Sequence, residues 1–196
     1  KYDPSGNVLW AKFLLQNGKV KPWDMALGSD GSIYITGDYN DNIVINGIYY
    51  FPFSNGSFLA KFDSTSGFQW IKNSSDWGYF YDMAIDDSET ISIAGLFRDS
   101  LTMDGQTIYG NGGHRDVFLM TLDTSGTISW IKNITGTGQV DWGSMEVDKH
   151  SGKIFFSVYN WDTLAYDNTL IYSGKQGVPQ NVTVAVEKNR LSSSLL

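Results

Sequence analysis

Short runs in which apolar and polar residues take turns dominate the chain. SIYITG (32–37), TISIAG (90–95) and FLAKFD (58–63) alternate with period two and are rich in β-branched and aromatic residues. Successive side chains of an extended strand point to opposite faces, so this pattern predicts strands with one buried face. The runs end in Gly, Asp, Ser and Asn, the residues that tight turns use. No segment keeps a 3.6-residue apolar period long enough for a helix. The expected fold class is all-β.

The same pattern recurs about every sixty residues. YDPSGNVLWAK (2–12), FDSTSGFQWIK (62–72) and LDTSGTISWIK (122–132) align, with Trp10, Trp70 and Trp130 and then Lys12, Lys72 and Lys132 in step. A second block follows as DMALGSDGSIYITG (24–37), DMAIDDSETISIAG (82–95) and SMEVDKHSGKIFFSV (144–158). A third, IVINGIYY (43–50), LTMDGQTIY (101–109) and LAYDNTLIY (164–172), carries Asn46-Gly47 or Asp104-Gly105 between apolar residues, a strong hairpin signal.

A unit of four strands plus a small hairpin fits a blade of a β-propeller. In the second copy, strand A is expected at 82–86, B at 91–97, C at 117–123 and D at 127–133. Residues 1–12 read as strands C and D of a preceding blade, and 24–73, 82–133 and 144–196 as three blades of one propeller domain. The last copy is degenerate, with VTVAVEKNRLSSSLL (182–196) where a strand pair and its Trp would stand. Closed propellers have four to eight blades, so 196 residues hold too few. The remaining blades are expected from a parent chain or an associated chain. The start at Lys1 in mid-motif predicts a piece of a longer protein.

At SFLAKFDSTSGFQWIK (57–72), DVFLMTLDTSGTISWIK (116–132), MALGSDGSIYITG (25–37) and MAIDDSETISIAG (83–95), the chain resembles the bacterial β-propeller repeat family often labelled SBBP. The third copy departs from it, because VDKHSGKIFFSV lacks the final Gly. The resemblance implies secreted or surface-attached bacterial proteins, frequently in bacteria using type IX secretion. It implies an extracellular or outer-membrane surface location and no defined activity, since a fold does not fix a function.

Composition narrows the partners. Fourteen basic against 21 acidic residues give a net charge of −7 without a basic cluster, which argues against nucleic acid. Cysteine is absent, removing disulfides, zinc–thiolate sites and thiol catalysis. No apolar run approaches the ~18 residues of a membrane span. No phosphate loop, nucleophile elbow or zinc-binding helix appears, and His114 and His150 occupy non-equivalent turns. Neither a cofactor, a metal nor a catalytic set is expected.

Aromatic residues make up 15% of the chain, and their placement suggests the chemistry. Trp10, Trp70 and Trp130 are expected to pack one sheet on the next. Trp23, Trp77 and Trp142 are read in the loops entering strand A. There they share one rim with Tyr79, Tyr81, Trp161 and the acids Asp41, Asp99 and Asp162. Asp24 and Asp82 recur where strand A begins, as candidate ligand contacts whose more economical role is to bond loop N–H groups. Rings beside carboxylates suit a sugar, with its apolar C–H faces and its hydroxyls; the competing reading is that the rings only seal gaps between sheets. The expected function is therefore a non-catalytic binding or adhesion module for a glycan or protein on the cell surface. The alternatives are a structural spacer or a propeller enzyme acting on polysaccharide. Ser64, Ser100 and Thr163 lie in Asp-Ser/Thr segments similar to the acceptor of a bacterial O-glycosylation system in the same secretion group.

Overall fold

A computed structural model describes residues 1–11, 19–40, 43–45, 48–50, 56–74, 76–167, 169–173, 180–187 and 190–192. The regular elements among them are all strands. The first unit holds β1 (Val20–Leu27), β2 (Ile33–Tyr39), β3 (Ile43–Ile45), β4 (Ile48–Tyr50), β5 (Gly56–Phe62) and β6 (Phe68–Asn73). The second holds β7 (Gly78–Ile85), β8 (Ile91–Arg98), β9 (Ser100–Met103), β10 (Gln106–Tyr109), β11 (Arg115–Leu122) and β12 (Ile128–Thr135). The third holds β13 (Val140–Val147), β14 (Ile154–Asn160), β15 (Thr163–Tyr166), β16 (Thr169–Ser173), β17 (Gln180–Glu187) and β18 (Arg190–Ser192).

Four strands of each unit pair in chain order as an antiparallel meander: β1-β2-β5-β6, β7-β8-β11-β12 and β13-β14-β17-β18. A hairpin is inserted between the second and third strand each time, as β3-β4, β9-β10 and β15-β16. The third hairpin also pairs with the second sheet through Ile134↔Tyr166 and Thr135↔Ala165. Asp104 and Gly105 both take positive φ, 47° and 78°, the backbone a two-residue hairpin turn needs. The Asn46-Gly47 turn, Lys12, Asp41 and the last four residues lie outside the described residues.

The first strand of each unit starts four residues before its expected position, at Val20, Val140 and Gly78 rather than 24, 144 and 82. A β-bulge explains the difference. Pairing runs inward through Asp24↔Thr36, Asp82↔Ala94 and Ser144↔Ser157, skips one residue, and resumes at Pro22↔Gly37, Phe80↔Gly95 and Trp142↔Val158. The skipped residues are Trp23, Tyr81 and Gly143. Such a bulge bends the strand and re-aims a side chain. It also crowds the partner strand: a Cβ on Gly95 would lie 1.7 Å from the Tyr79 carbonyl oxygen, and one on Gly37 2.5 Å from that of Lys21. In the third unit the glycine has moved to the bulge itself. Val158 occupies the partner position, and a Cβ on Gly143 would lie 2.5 Å from Ser157 Oγ. This accounts for the final Gly missing from the third copy.

The three sheets stack face on face. Tyr34, Leu59 and Trp70 of the first pack on Phe80, Met83, Ile93 and Phe118 of the second. Ala94, Leu96, Leu119 and Trp130 of the second pack on Met145, Phe156, Val182 and Val184 of the third. Trp10 packs on Ile33, Phe58 and Phe62 of the first sheet, so Trp10, Trp70 and Trp130 each cover the sheet that follows. Burying such rings is the main cohesive term between sheets.

Polar links repeat with the same period. Met83 N donates to Asp24 Oδ2 (2.8 Å), and Met145 N donates to Asp82 Oδ2 (3.0 Å). Each carboxylate thus ties its own first strand to that of the next sheet. Lys72 pairs with Asp104, and Lys132 with Asp167 at 2.6 Å, clasping each fourth strand to the following hairpin. Asp63 and Asp123 hold the turns before those strands, each accepting two backbone N–H bonds within its turn. Among the described residues, no helix is long and apolar enough to cross a membrane.

Candidate functional site

The bulges bring the predicted aromatic residues to the junctions between sheets, and the two junctions differ. At the first, the indole N–H of Trp23 donates to the Asp38 carboxylate. Its ring meets Tyr81 edge-on at 4.8 Å and Tyr79 at 6.3 Å between centroids. Tyr79 and Tyr81 stack at 5.5 Å and 14°, and Trp77 meets Tyr79 edge-on at 4.9 Å. Lys21 Nζ sits 3.5 Å above the Trp23 ring and the Arg98 guanidinium 5.3 Å from that of Trp77. Trp23, Trp77, Tyr79 and Tyr81 therefore pack on one another, and two cations sit against them. The gap left at this junction is about 80 Å³, lined by Asp38, Tyr39 and Trp77 among others.

At the second junction the corresponding positions hold different residues. Leu96 stands where Asp38 does, Asp141 where Tyr79 does, and Gly143 where Tyr81 does. Without those rings a cleft of about 530 Å³ opens, lined by Tyr81, Asp82, Arg115, Asp141, Trp142 and Tyr159. Trp142 is half-buried, and its indole N–H donates to Asp82 Oδ2 at 2.9 Å. Arg115 lies 3.5 Å from Asp141 Oδ1, whose other oxygen accepts from Gln139 at 2.6 Å. Tyr159 is exposed. The cleft thus offers three rings, one guanidinium and two carboxylates.

Burial pushes the Asp82 carboxyl above its ordinary range, against the opposing pull of its bonds from Trp142 and Met145. A carboxylate losing water is penalised unless donors replace it. Asp82 has two donors, both on Oδ2. Asp116, buried beside the β10–β11 connection, is raised for the same reason while accepting from Asn111 N at 2.9 Å.

The geometry revises the sequence reading in three respects. Trp23, Tyr79, Tyr81 and Trp142 lie within first strands rather than in loops before them, and Asp24 and Asp82 lie inside those strands rather than at their start. Trp23, Trp77 and Trp142 are not one repeated position, since only Trp23 is the bulged residue of its strand. Only Tyr81, Asp82 and Trp142 of the predicted set line the second cleft. Trp161 follows β14, near Gly138, and lines neither cavity. Leu96, Arg115, Asp141 and Tyr159 were not singled out by the sequence. The signal that points to them is the bulge register, which a plain sixty-residue offset misses by a residue or more.

The remaining candidates are separate from the cleft. Ser64 is exposed in the β5–β6 turn, and Ser100 and Thr163 open β9 and β15 at equivalent positions. The Thr163 hydroxyl already bonds that of Thr137 at 3.0 Å. His150, in the β13–β14 turn, pairs with Asp87, while His114 lies between β10 and β11. Among the described residues, no group of three or more His, Asp or Glu side chains could hold a metal ion. No family model matches the chain, and no curated protein matches it in sequence.

Proposed function

We propose that the stacked sheets are blades of a β-propeller and that the chain is a non-catalytic binding module, taking a glycan in the cleft between its second and third sheets. Three repeated four-stranded meanders with neighbouring first strands support the architecture. The observation that carries the ligand is the contrast between junctions. One is filled by aromatic residues, and its equivalent is left open and lined by Tyr81, Trp142, Tyr159, Arg115, Asp82 and Asp141. Its volume falls in the range of small-molecule sites. Rings supply flat apolar surfaces for sugar C–H faces, and the charged groups supply donors and acceptors for hydroxyls.

A binding role is favoured because each carboxylate is fixed through one oxygen and leaves the other as an acceptor for a hydroxyl. Asp82 Oδ2 accepts from Trp142 and Met145, and Asp141 Oδ2 accepts from Gln139 while its Oδ1 lies 3.5 Å from Arg115 without a hydrogen-bond partner among the described residues. We place the module outside the cell, as the family resemblance implies. The test is a glycan array probed with the wild-type protein and Tyr159→Ala. Tyr159 is exposed, so the substitution leaves the core intact. Binding that falls at least about tenfold in the variant supports the reading, that being the cost of losing one well-stacked ring. No signal from either protein favours a structural spacer, and equal signals put the ligand elsewhere.

A further inference from the structure

A second cavity, of about 200 Å³, lies between the second and third sheets beside the β7–β8 and β13–β14 turns, and it shares no lining residue with the cleft. Asp86, Ser92, Thr121, Ser129, Trp130 and Ile154 line it, among others. Asp86, Ser92 and Thr121 are only 6%, 3% and 5% exposed. Asp86 Oδ1 accepts the amides of Ser88 and Thr90, both at 2.9 Å. Its Oδ2 and the hydroxyls of Ser92 and Thr121 have no hydrogen-bond partner among the described residues and border open space instead. Buried polar side chains are as a rule hydrogen-bonded, so three free ones around one cavity point to something bound there.

The first junction shows what is missing. One register row of the first sheet reads Ala26, Tyr34, Lys61, Trp70, and the same row of the second reads Ala84, Ser92, Thr121, Trp130. In the first junction the fully buried Tyr34 ring fills the space beside Trp70, at 6.1 Å between centroids. Lys61 brings an ammonium into it. Its Nζ lies 5.2 Å from the Tyr34 centroid and donates to Thr124 O at 3.0 Å. A carboxylate reaches the same corner, because a Cβ on Gly28 would lie 3.3 Å from Glu89 Oε2 and 3.4 Å from the Tyr34 ring. Gly28 opens its turn as Asp86 opens the next, each amide donating to the carbonyl four residues on. In the second junction Asp86 therefore supplies the carboxylate, while the ring and the ammonium have both been replaced by short hydroxyl side chains.

We propose that this cavity binds a small primary amine, whose ammonium takes the part that Lys61 plays in the first junction. An ammonium has three donors and no acceptor, and Asp86 Oδ2, Ser92 Oγ and Thr121 Oγ1 are acceptors still free. The described lining residues include no cation, so a buried carboxylate stands there without a counter-charge, at a cost that a bound cation relieves. Trp130 offers a ring face for the cation and for the carbon body beside it. The volume is several times the ~30 Å³ share of one water, which suits an alkylamine or an amino sugar rather than a lone ion. The inference stands on the row contrast and not on the glycan reading, so either can fail alone.

The probes are cadaverine and D-glucosamine, with their neutral counterparts pentanediol and D-glucose, titrated into the intact chain and followed by proton–nitrogen correlation at the Trp130 indole. The Trp130 Nε1–H signal should shift and saturate with at least one amine and stay in place with both neutral compounds. A response to cadaverine alone marks an alkylamine site and a response to D-glucosamine alone an amino-sugar site. Asp86→Asn keeps the acceptor that holds the turn and removes the charge, so it should weaken binding about tenfold or more. Thr121→Lys restores the internal ammonium and should abolish binding while raising Tm. No shift with either amine overturns the proposal, as do equal shifts with the neutral compounds. Affinity unchanged in Asp86→Asn, or amine binding retained by a folded Thr121→Lys, overturns it as well.

Discussion

Replacing Asp82 by alanine tests how the sheets are held together. Its Oδ2 accepts Met145 N at 3.0 Å and Trp142 Nε1 at 2.9 Å, both from the first strand of the next sheet. Removing the carboxylate leaves two half-buried N–H donors without a protein partner, at about 1–3 kcal/mol each. Relief of the burial that raises its pKa offsets part of this. The expected net loss is about 2–4 kcal/mol. For a chain of this length that lowers Tm by about 5–15 °C. Thermal unfolding by circular dichroism measures the loss, and hydrogen exchange localises it. Exchange should accelerate at Met145 and through β13 while β1 and β2 keep their protection. A Tm within about 2 °C of wild type, or loosening confined to the first sheet, would refute the carboxylate link as a determinant of stacking.

Three further outcomes follow from the same geometry. The folded pKa of Asp82 is raised by burial, so its contribution is fully present below the unfolded value near 3.8 and is lost as pH rises through the folded value. Denaturant titrations from pH 3 to 7 should therefore show wild type losing ground to Asp82→Asn as pH increases. The opposite slope would contradict the assigned direction. Phe118 is fully buried with its ring 5.3 Å from that of Phe80, and Phe118→Ala should cost about 3–5 kcal/mol by urea unfolding. Gly95→Ala places a Cβ 1.7 Å from the Tyr79 carbonyl oxygen, so it should part β7 from β8 and abolish the near-ultraviolet signal of the Tyr79–Tyr81 stack.

Strand content, the inserted hairpins and the packing role of Trp10, Trp70 and Trp130 were legible because each depends on local alternation or on a constant sixty-residue spacing. The candidate site was less so. A bulge adds one residue to a strand without changing its composition, so Trp142 aligns by eye with Trp23 yet occupies the position of Pro22. The open cleft depends on what is missing, a ring at Gly143 and another at Asp141, and on Arg115, which comes from a strand 26 residues earlier in the chain than Asp141. Nothing in the sequence around Arg115 marks it. Likewise Asp24 and Asp82 were legible as structural acids, but their partners, Met83 and Met145, lie in the following unit and become visible only once the sheets are stacked.

Indole resonances offer the most direct check on the central claim, because each junction carries its own tryptophan N–H. In a proton–nitrogen correlation spectrum titrated with oligosaccharides chosen from the array, the Trp142 Nε1–H signal should shift and saturate. Those of Trp23 and Trp77, packed at the first junction, should stay in place. Shifts confined to Trp23 or Trp77, or a Trp142 signal indifferent to every sugar that the protein binds, would contradict a site in the second junction.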